Sequence, residues 1–198
     1  MGRFDRELTP GALDDGPRAN FARLAPRFAR IVVGEDAYAV TAGNSSRFDD
    51  GAAAVAIVAE HLRGGAPGLR VLAHATTGVD SALPGLGPIT AVRAVLERTG
   101  RSLDSVVAIE IVEAFAAQAL ACLDALGLVD AQGEIDPRVC ADGGSLALGH
   151  PWGASAAVSV VRLFSRLVDG GAEAGTLGLA TVAVGGGMGV AMLVEVVR

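Results

Sequence analysis

Short runs of aliphatic and β-branched residues alternate with helix-like segments along most of this chain, and this alternation restricts it to the α/β class of folds. Only 4% of the 198 residues are aromatic, whereas 51% are hydrophobic and 27 are glycine, a composition typical of closely packed aliphatic layers. The predicted order is α-β-α-β-α-β-α-β-β, a mixed sheet with helices on both faces. Helices are predicted at 51–63, 88–100, 115–126 and 152–168, and strands at 69–79, 106–112, 145–148, 177–184 and 190–197.

The domain organisation predicted from the sequence is one core domain preceded by an arm. Residues 1–38 have the pattern of an extended, partly helical arm, with Leu24, Phe28 and Ile31 as its anchoring side chains. The core pattern occupies residues 39–198, and neither an internal repeat nor a linker divides it. A single domain of this size buries an ordinary hydrophobic core.

Charge and composition exclude several classes of function. The net charge is −6 and the isoelectric point about 5.0, with no basic run of the kind that binds nucleic acid. The N-terminus lacks the apolar core of a secretory signal, and no apolar run reaches the length of a membrane span. Cys122 and Cys140 lie outside any CxxC motif and the three histidines are dispersed, so no metal site is predicted. This use of cysteine fits a reducing cytoplasm.

One histidine lies in a context that favours chemistry. The segment GGSLALGHPWGAS, residues 143–155, places His150 between a glycine turn and a helix that Pro151 can begin. Backbone N–H groups at such a helix start favour negative charge, and an imidazole there could act as base, acid or oxyanion donor. The alternative is a buried histidine whose ring is satisfied by a backbone carbonyl.

The glycine-rich segment GGGMG, residues 185–189, is not predicted to bind a nucleotide. A dinucleotide fingerprint needs a helix directly after its glycines, whereas a strand follows here. The segment is predicted to form a hairpin turn, and its backbone could also approach a substrate closely.

Four blocks together resemble the C-terminal half of the thiolases: TAGNSSRFDDGAAAV, EIVEAFAAQ, GGSLALGHPWGAS and GLATVAVGGGMG. They occur in the order and approximate spacing of that family, and the resemblance extends from about Phe4 to the end of the chain. It implies the thiolase C-terminal fold, a five-stranded mixed sheet with helices on both faces.

The resemblance also implies a set of site residues. His150 matches the histidine that activates a nucleophilic cysteine and helps to form an oxyanion hole, and Ser46 matches a serine that lies against the pantetheine arm of coenzyme A. The other matching positions shape or line the substrate pocket: Phe115, Gly149, Pro151, Gly186 and Gly187.

Two positions depart from the family pattern. Val112 replaces the asparagine that anchors a water in an oxyanion hole, and Ala183 replaces the cysteine that exchanges a proton next to the thioester carbonyl. Neither side chain can do that chemistry, and neither Cys122 nor Cys140 aligns with Ala183. Cys140 could compensate only if it lay near the site.

The family's nucleophilic cysteine and most of its coenzyme-binding region belong to the N-terminal half. The resemblance therefore implies a hetero-oligomer in which a partner subunit supplies that half and covers apolar helices exposed by its absence. Coenzyme A thioesters are expected as substrates rather than as a permanently bound cofactor, and neither nucleic acid nor membrane is expected as a partner. Three hypotheses follow: a His-bearing subunit of a split thiolase-like acyltransferase, inactive alone; a degenerate subunit that stabilises an active thiolase; and a truncated product without a role.

Overall fold

The computed structural model describes residue 40 and residues 43–198, and these contain one mixed sheet. Its strands are β1 (Gly68–Gly78), β2 (Val106–Ile111), β3 (Leu177–Val184) and β4 (Met188–Val197), and their order across the sheet is β1-β4-β3-β2. The β2–β3 pair is parallel, whereas β4 pairs antiparallel with both β3 and β1. All four strands were predicted within two residues of these bounds, and the mixed sheet is confirmed.

The β3–β4 connection is the hairpin turn predicted for the GGGMG segment. Val184 pairs with Met188, so only Gly185–Gly187 separate the strands. Gly186 and Gly187 have φ angles of 89° and 84°, which L-residues with side chains rarely adopt. Glycine is therefore the residue that closes this turn without strain.

Helices cover both faces of the sheet. They are α1 (Gly87–Thr99), α2 (Ala116–Ala125), α3 (Ser145–Leu148) and α4 (Ser155–Leu163), and α4 follows a 3₁₀ turn, Trp152–Ala154, and continues as a π-helical turn, Phe164–Asp169. Gly100 ends α1 in the left-handed region, at φ 62°, as expected for a C-terminal glycine. Short 3₁₀ turns also occur at Glu60–Leu62, Pro84–Leu86 and Leu103–Ser105.

Two buried clusters show how the layers are held together. The larger one joins one face of the sheet to α1 and α2, and it includes Val92, Leu123 and Leu193. The smaller one joins the opposite face to α4 and its continuation through Leu163 and Leu167. Burial of this aliphatic surface is the main stabilising term of the fold, and the predicted three-layer architecture is confirmed.

Two of the predicted elements are wrong. Residues 51–59 form neither helix nor strand, and only Glu60–Leu62 makes a 3₁₀ turn where a helix over 51–63 was expected. The expected strand at 145–148 is the short helix α3, because the turn at Gly143 and Gly144 leads into hydrogen bonds from Leu148 and Gly149 back to Gly144 and Ser145. The described sheet accordingly has four strands instead of five, with Val139 making a single parallel bridge to Ile109 beside β2.

The predicted arm, residues 1–38, lies outside the described residues. Among the residues that are described, no helix is long and apolar enough to cross a membrane.

Candidate active site

His150 lies in a tight turn between α3 and α4, and the backbone of a second loop holds this turn. Gly149 precedes it with φ 103° and with its Cα facing the Asp49 carboxylate so closely that a Cβ would overlap it. The His150 backbone N–H donates to the carbonyl oxygen of Arg47 at 2.9 Å, and Phe48 forms a parallel bridge with His150. The loop of residues 43–50, called the site loop below, therefore fixes the histidine turn.

The His150 ring is oriented by one short hydrogen bond. Its Nδ1 lies 2.6 Å from the hydroxyl oxygen of Ser155, and Ser155 is buried at the start of α4. Partial burial of the ring lowers its pKa below the ordinary value of 6.5, since desolvation disfavours the charged form. The ring is thus neutral at pH 7, and Nε2 has no hydrogen-bond partner within the described residues. A neutral imidazole anchored at one nitrogen can accept a proton at the other.

The site loop also reaches Ser46 and Phe115. The Ser46 hydroxyl and backbone N–H both donate to the carbonyl oxygen of Ala114 at 3.0 Å. Ser45 forms an antiparallel bridge with Phe115, whose side chain is partly exposed. Two of the predicted site residues, Ser46 and Phe115, therefore lie next to each other. The site loop, which contains Ser46, also contains Arg47, whose carbonyl oxygen accepts from the His150 N–H.

A small recess with a cavity volume of about 40 Å³ opens beside the histidine turn. Val112, Gly149 and Pro151 line it, together with residues of β2, α3 and α4. The Ser145 hydroxyl, which also lines the recess, is buried and has no hydrogen-bond partner among the described residues. Val112 is itself buried, and its backbone N–H donates to Thr181. A valine side chain offers the recess no polar atom, and its assignment as a degenerate position stays a prediction.

The remaining predicted positions are in the β3–β4 hairpin. Ala183 pairs with Gly189 and is half-buried. Gly187 approaches Ser81 and accepts a hydrogen bond from the Val79 N–H at 2.7 Å, so the contacts of this glycine are with the end of β1. Gly186 has no atom within 4 Å of the place where its Cβ would be. The structure thus joins His150, Ser46 and Phe115 through the site loop, whereas the contacts of Gly187 are with residues that follow β1.

A buried ion-pair network ties α4 to the sheet next to the recess. Glu110 of β2 is only 2% exposed, and its carboxylate accepts from Arg162 at 3.0 Å and from Arg166 at 2.7 Å. Arg162 also donates to the carbonyl oxygen of Gly143, in the turn that precedes α3. Because every charge here is paired, the network positions α4 and Ser155 and leaves no free base.

Neither cysteine compensates for the alanine at position 183. Cys140 is buried, donates to the carbonyl oxygen of Ile111 at 3.4 Å, and has its pKa raised, chiefly by desolvation. Cys122 lies on the buried side of α2 and donates to the carbonyl oxygen of Gly85, and its pKa is also raised by burial. Thiols held in this way stay protonated and unreactive. In the part of the chain that the structure describes, no group of three or more His, Cys, Asp or Glu side chains could hold a metal ion.

Two contributors to the site were not predicted. Ser155 lies five residues after His150, inside the quoted motif, but spacing alone does not show that it faces the ring. The Glu113 carboxylate accepts from the backbone N–H of Leu146 at 3.2 Å and contacts Gly144 closely enough to exclude a side chain there. Glu113 caps the start of the short helix α3. This role could not be predicted from the sequence, because residues 145–148 were expected to form a strand.

Comparison with known proteins gives one family. The model of the thiolase C-terminal domain matches residues 66–196. Among curated proteins, the chain is 37% identical to the acetyl-CoA acetyltransferase of Syntrophomonas wolfei over 98% of this chain and 50% of that protein. It is 44% identical to the 3-oxoadipyl-CoA/3-oxo-5,6-dehydrosuberyl-CoA thiolase of Escherichia coli K12, over 79% of this chain and 38% of the enzyme.

Solved structures give the same result for the fold. The acetyl-CoA acetyltransferase of Bacillus anthracis aligns with a TM-score of 0.72 and 34% identity, over 93% of this chain and 45% of that one. A human mitochondrial 3-ketoacyl-CoA thiolase in complex with CoA aligns with a TM-score of 0.59 and 29% identity, over 66% of this chain and 31% of that one. The chain spans about half the length, or less, of the relatives it matches.

Proposed function

Since this chain belongs to the family of thiolase C-terminal domains, we propose that it is the His-bearing subunit of a heteromeric thiolase-like acyltransferase. A partner subunit supplies the nucleophilic cysteine, and acyl-CoA thioesters are substrates, not bound cofactors. The observation that carries this proposal is the His150 site, where a neutral imidazole is anchored to Ser155 at Nδ1 and has Nε2 available. Acetyl-CoA acetyltransferases and thiolases among the relatives support the substrate class.

The chemistry proposed for His150 is proton transfer to and from sulfur. Nε2 takes the proton of the partner's cysteine thiol, and the thiolate attacks the thioester carbonyl. The carbon–sulfur bond to coenzyme A breaks, and its sulfur leaves with the proton that His150 held. An acyl-enzyme on the partner remains, and this chain alone forms none. Ser46 and Phe115, together with Gly149, Pro151, Gly186 and Gly187, are proposed to bind the thioester.

The departures at Val112 and Ala183 reduce the number of reaction types that the site can catalyse. An alanine methyl has no proton to exchange, so removal of a proton next to the thioester carbonyl has no base at that position. Acyl transfer, decarboxylative condensation and aldol-type cleavage do not need one there. We therefore place the reaction among acyl transfers and carbon–carbon bond formations or cleavages that avoid this step.

The test is co-expression of the full chain with the N-terminal half of a thiolase, followed by an assay for release of free coenzyme A thiol. His150→Ala is expected to reduce acyl transfer by about 10² or more, with the complex intact on size-exclusion chromatography. His61→Ala is the matched control, because His61 is exposed in a 3₁₀ turn far along the chain, and it should retain full activity. Full activity of His150→Ala in an intact complex would show that His150 is not catalytic.

A second candidate is a non-catalytic subunit that stabilises an active thiolase. The replacements at Val112 and Ala183 favour it, as does the saturated Nδ1 of a partly buried His150. In that case the partner's activity depends on the presence of this chain but not on the identity of residue 150.

A further inference from the structure

The apolar segment of residues 52–59, AAAVAIVA, is largely exposed and is called the free segment below. It contains neither helix nor strand, and Ala59 at its end has extended backbone angles, φ −66° and ψ 146°. Ile57 is 88% exposed and Val58 is 58% exposed. Within the described residues, no backbone group of 52–58 makes a hydrogen bond. A contiguous exposed apolar run of this kind marks an interaction site.

From this segment we infer that the chain donates a β-strand to a sheet of its partner subunit. Val55 and Ile57 would point to one face of such a strand, and Ala56 and Val58 to the other. Both faces are apolar, and strands apolar on both faces are buried between layers in α/β sheets. The partner surface that accepts the strand is therefore the open edge of an α/β sheet with helices on both sides. Pairing with that edge supplies the backbone hydrogen bonds that the free segment lacks.

Both edges of the described sheet are partly occupied, which argues against a second copy as the partner. At the β2 edge, both backbone groups of Ile109 are taken, since its N–H donates to Arg138 and its carbonyl accepts from Cys140. At the β1 edge, the His74 carbonyl accepts from the Arg98 guanidinium at 2.6 Å, and charged side chains of this kind protect edges. The match to the thiolase C-terminal domain begins at residue 66. The free segment therefore lies outside the matched domain, whose sheet a second copy would have to offer for pairing.

The position of the free segment connects strand donation to the active site. It directly follows the site loop, whose backbone holds the His150 turn. The rings of Phe48, 78% exposed, and Trp152, 64% exposed, are in tilted contact at 5.1 Å between centroids next to that turn, and they add exposed apolar surface beside the site. A partner that accepts the strand is thereby held against His150. This inference rests on the proposed function for the identity of the partner as the cysteine-bearing subunit.

The test measures binding of the full chain to the N-terminal half of the Syntrophomonas wolfei acetyl-CoA acetyltransferase, the portion that this chain does not match. Val58→Pro removes a strand N–H, and Val58→Lys places a charge on a face that would be buried. Each is expected to weaken binding about tenfold or more. Val107→Lys is the matched control, since Val107 is 54% exposed in β2, and it should change affinity less than about twofold. Residues 52–58 should exchange amide hydrogens rapidly in the free chain and slowly in the complex.

The outcomes separate the two proposals. Both Val58 variants should unfold at the wild-type temperature, because the Val58 side chain is exposed and residues 52–58 make no backbone hydrogen bond to other described residues. A complex indifferent to both Val58 variants, or unprotected at 52–58, overturns strand donation and leaves the proposed function standing. A complex that depends on Val58 but shows no acyl transfer overturns the proposed function alone. Self-association lost in Val58→Pro, or no complex at all, overturns donation to this partner.

Discussion

Burial and one short hydrogen bond set both the charge and the orientation of the His150 ring. The Ser155 hydroxyl is hydrogen-bonded to Nδ1, and the Ser159 hydroxyl one turn later donates to the backbone carbonyl of Ser155. The position of Ser155 is therefore fixed by α4. The other end of α4 is fixed by Arg162, paired with the buried Glu110. The orientation of a single imidazole thus depends on a helix that is tied to the sheet by a charge pair.

This environment predicts the pH dependence of the isolated chain. Burial lowers the pKa of His150 in the folded state below the 6.5 of an unfolded chain, so the folded protein binds the proton less readily. The stabilising contribution is complete above pH 6.5 and is lost as the pH falls through the lower folded-state pKa. Urea titrations between pH 8 and 5 should show the free energy of unfolding declining in that window, and declining less in His150→Gln. An NMR titration midpoint of His150 at or above 6.5 would contradict the prediction.

Among the candidate site residues, His150 has a local signal in the sequence, since a glycine turn and Pro151 mark it, whereas Ser46 and Phe115 were implied by the resemblance. The structure places Ser46 next to the segment before Phe115. Their roles in binding and catalysis stay predictions, as do those of the hairpin glycines. Ser155 was missed because its contact with His150 depends on how the 3₁₀ turn Trp152–Ala154 sets the start of α4.

At the level of elements, the predictions succeeded where a periodic pattern was bounded by glycine or proline. α1 begins at Gly87–Pro88 and is capped by Gly100, and β4 follows the glycines of the hairpin turn through a mostly aliphatic series. The prediction failed at 51–59, where an alanine-rich run favours a helix by propensity but is not helical in the structure. It also failed at 145–148, because four residues carry no usable periodicity.

A close approach between α1 and β4 gives a prediction about packing. A Cβ on Gly189 would lie 2.6 Å from the Gly87 Cα and would overlap other backbone atoms of Gly87. Gly189→Ala must therefore separate the helix from the strand, and we expect a loss of about 1–3 kcal/mol in unfolding free energy or more, measured by urea denaturation. Gly153→Ala is the control, because its Cβ would meet no atom within 4 Å. Equal stability of the two variants would show that α1 shifts without cost.

Considered as a whole, the described chain is a folded domain with a partly apolar exterior. Its sheet is covered on both faces, yet Phe48 and Ile57 are well exposed along one stretch of chain that includes the site loop, and Trp152 is exposed next to the histidine turn. The same stretch holds the histidine turn through the backbone of Arg47. The stability of the domain therefore does not depend on completion of the site. The hydrophobic core is formed within this chain, whereas under the proposed function another chain supplies the missing part of the active site.

That separation yields a prediction for the assembled enzyme. Ala183 lies on β3 opposite Gly189, and restoring a thiol there should restore proton exchange next to the thioester carbonyl. In the complex with an N-terminal half, Ala183→Cys is expected to exchange the α-protons of acetyl-CoA with D₂O at least about 10²-fold faster than the parent, as a positioned base provides. NMR follows the loss of the methyl signal.

The control for that experiment is Val182→Cys, which presents a thiol on the opposite face of β3, since neighbouring strand residues alternate. It should not accelerate exchange. Because Val112 still leaves the recess without the polar atom of an asparagine, the gain in Ala183→Cys should stop short of full thiolysis. If Ala183→Cys exchanges no faster than Val182→Cys while acyl transfer through His150 persists, more than the missing base separates this site from those of its relatives. If Ala183→Cys accelerates exchange, the alanine alone prevents proton exchange next to the thioester carbonyl. The rest of the site around His150 then still supports that step.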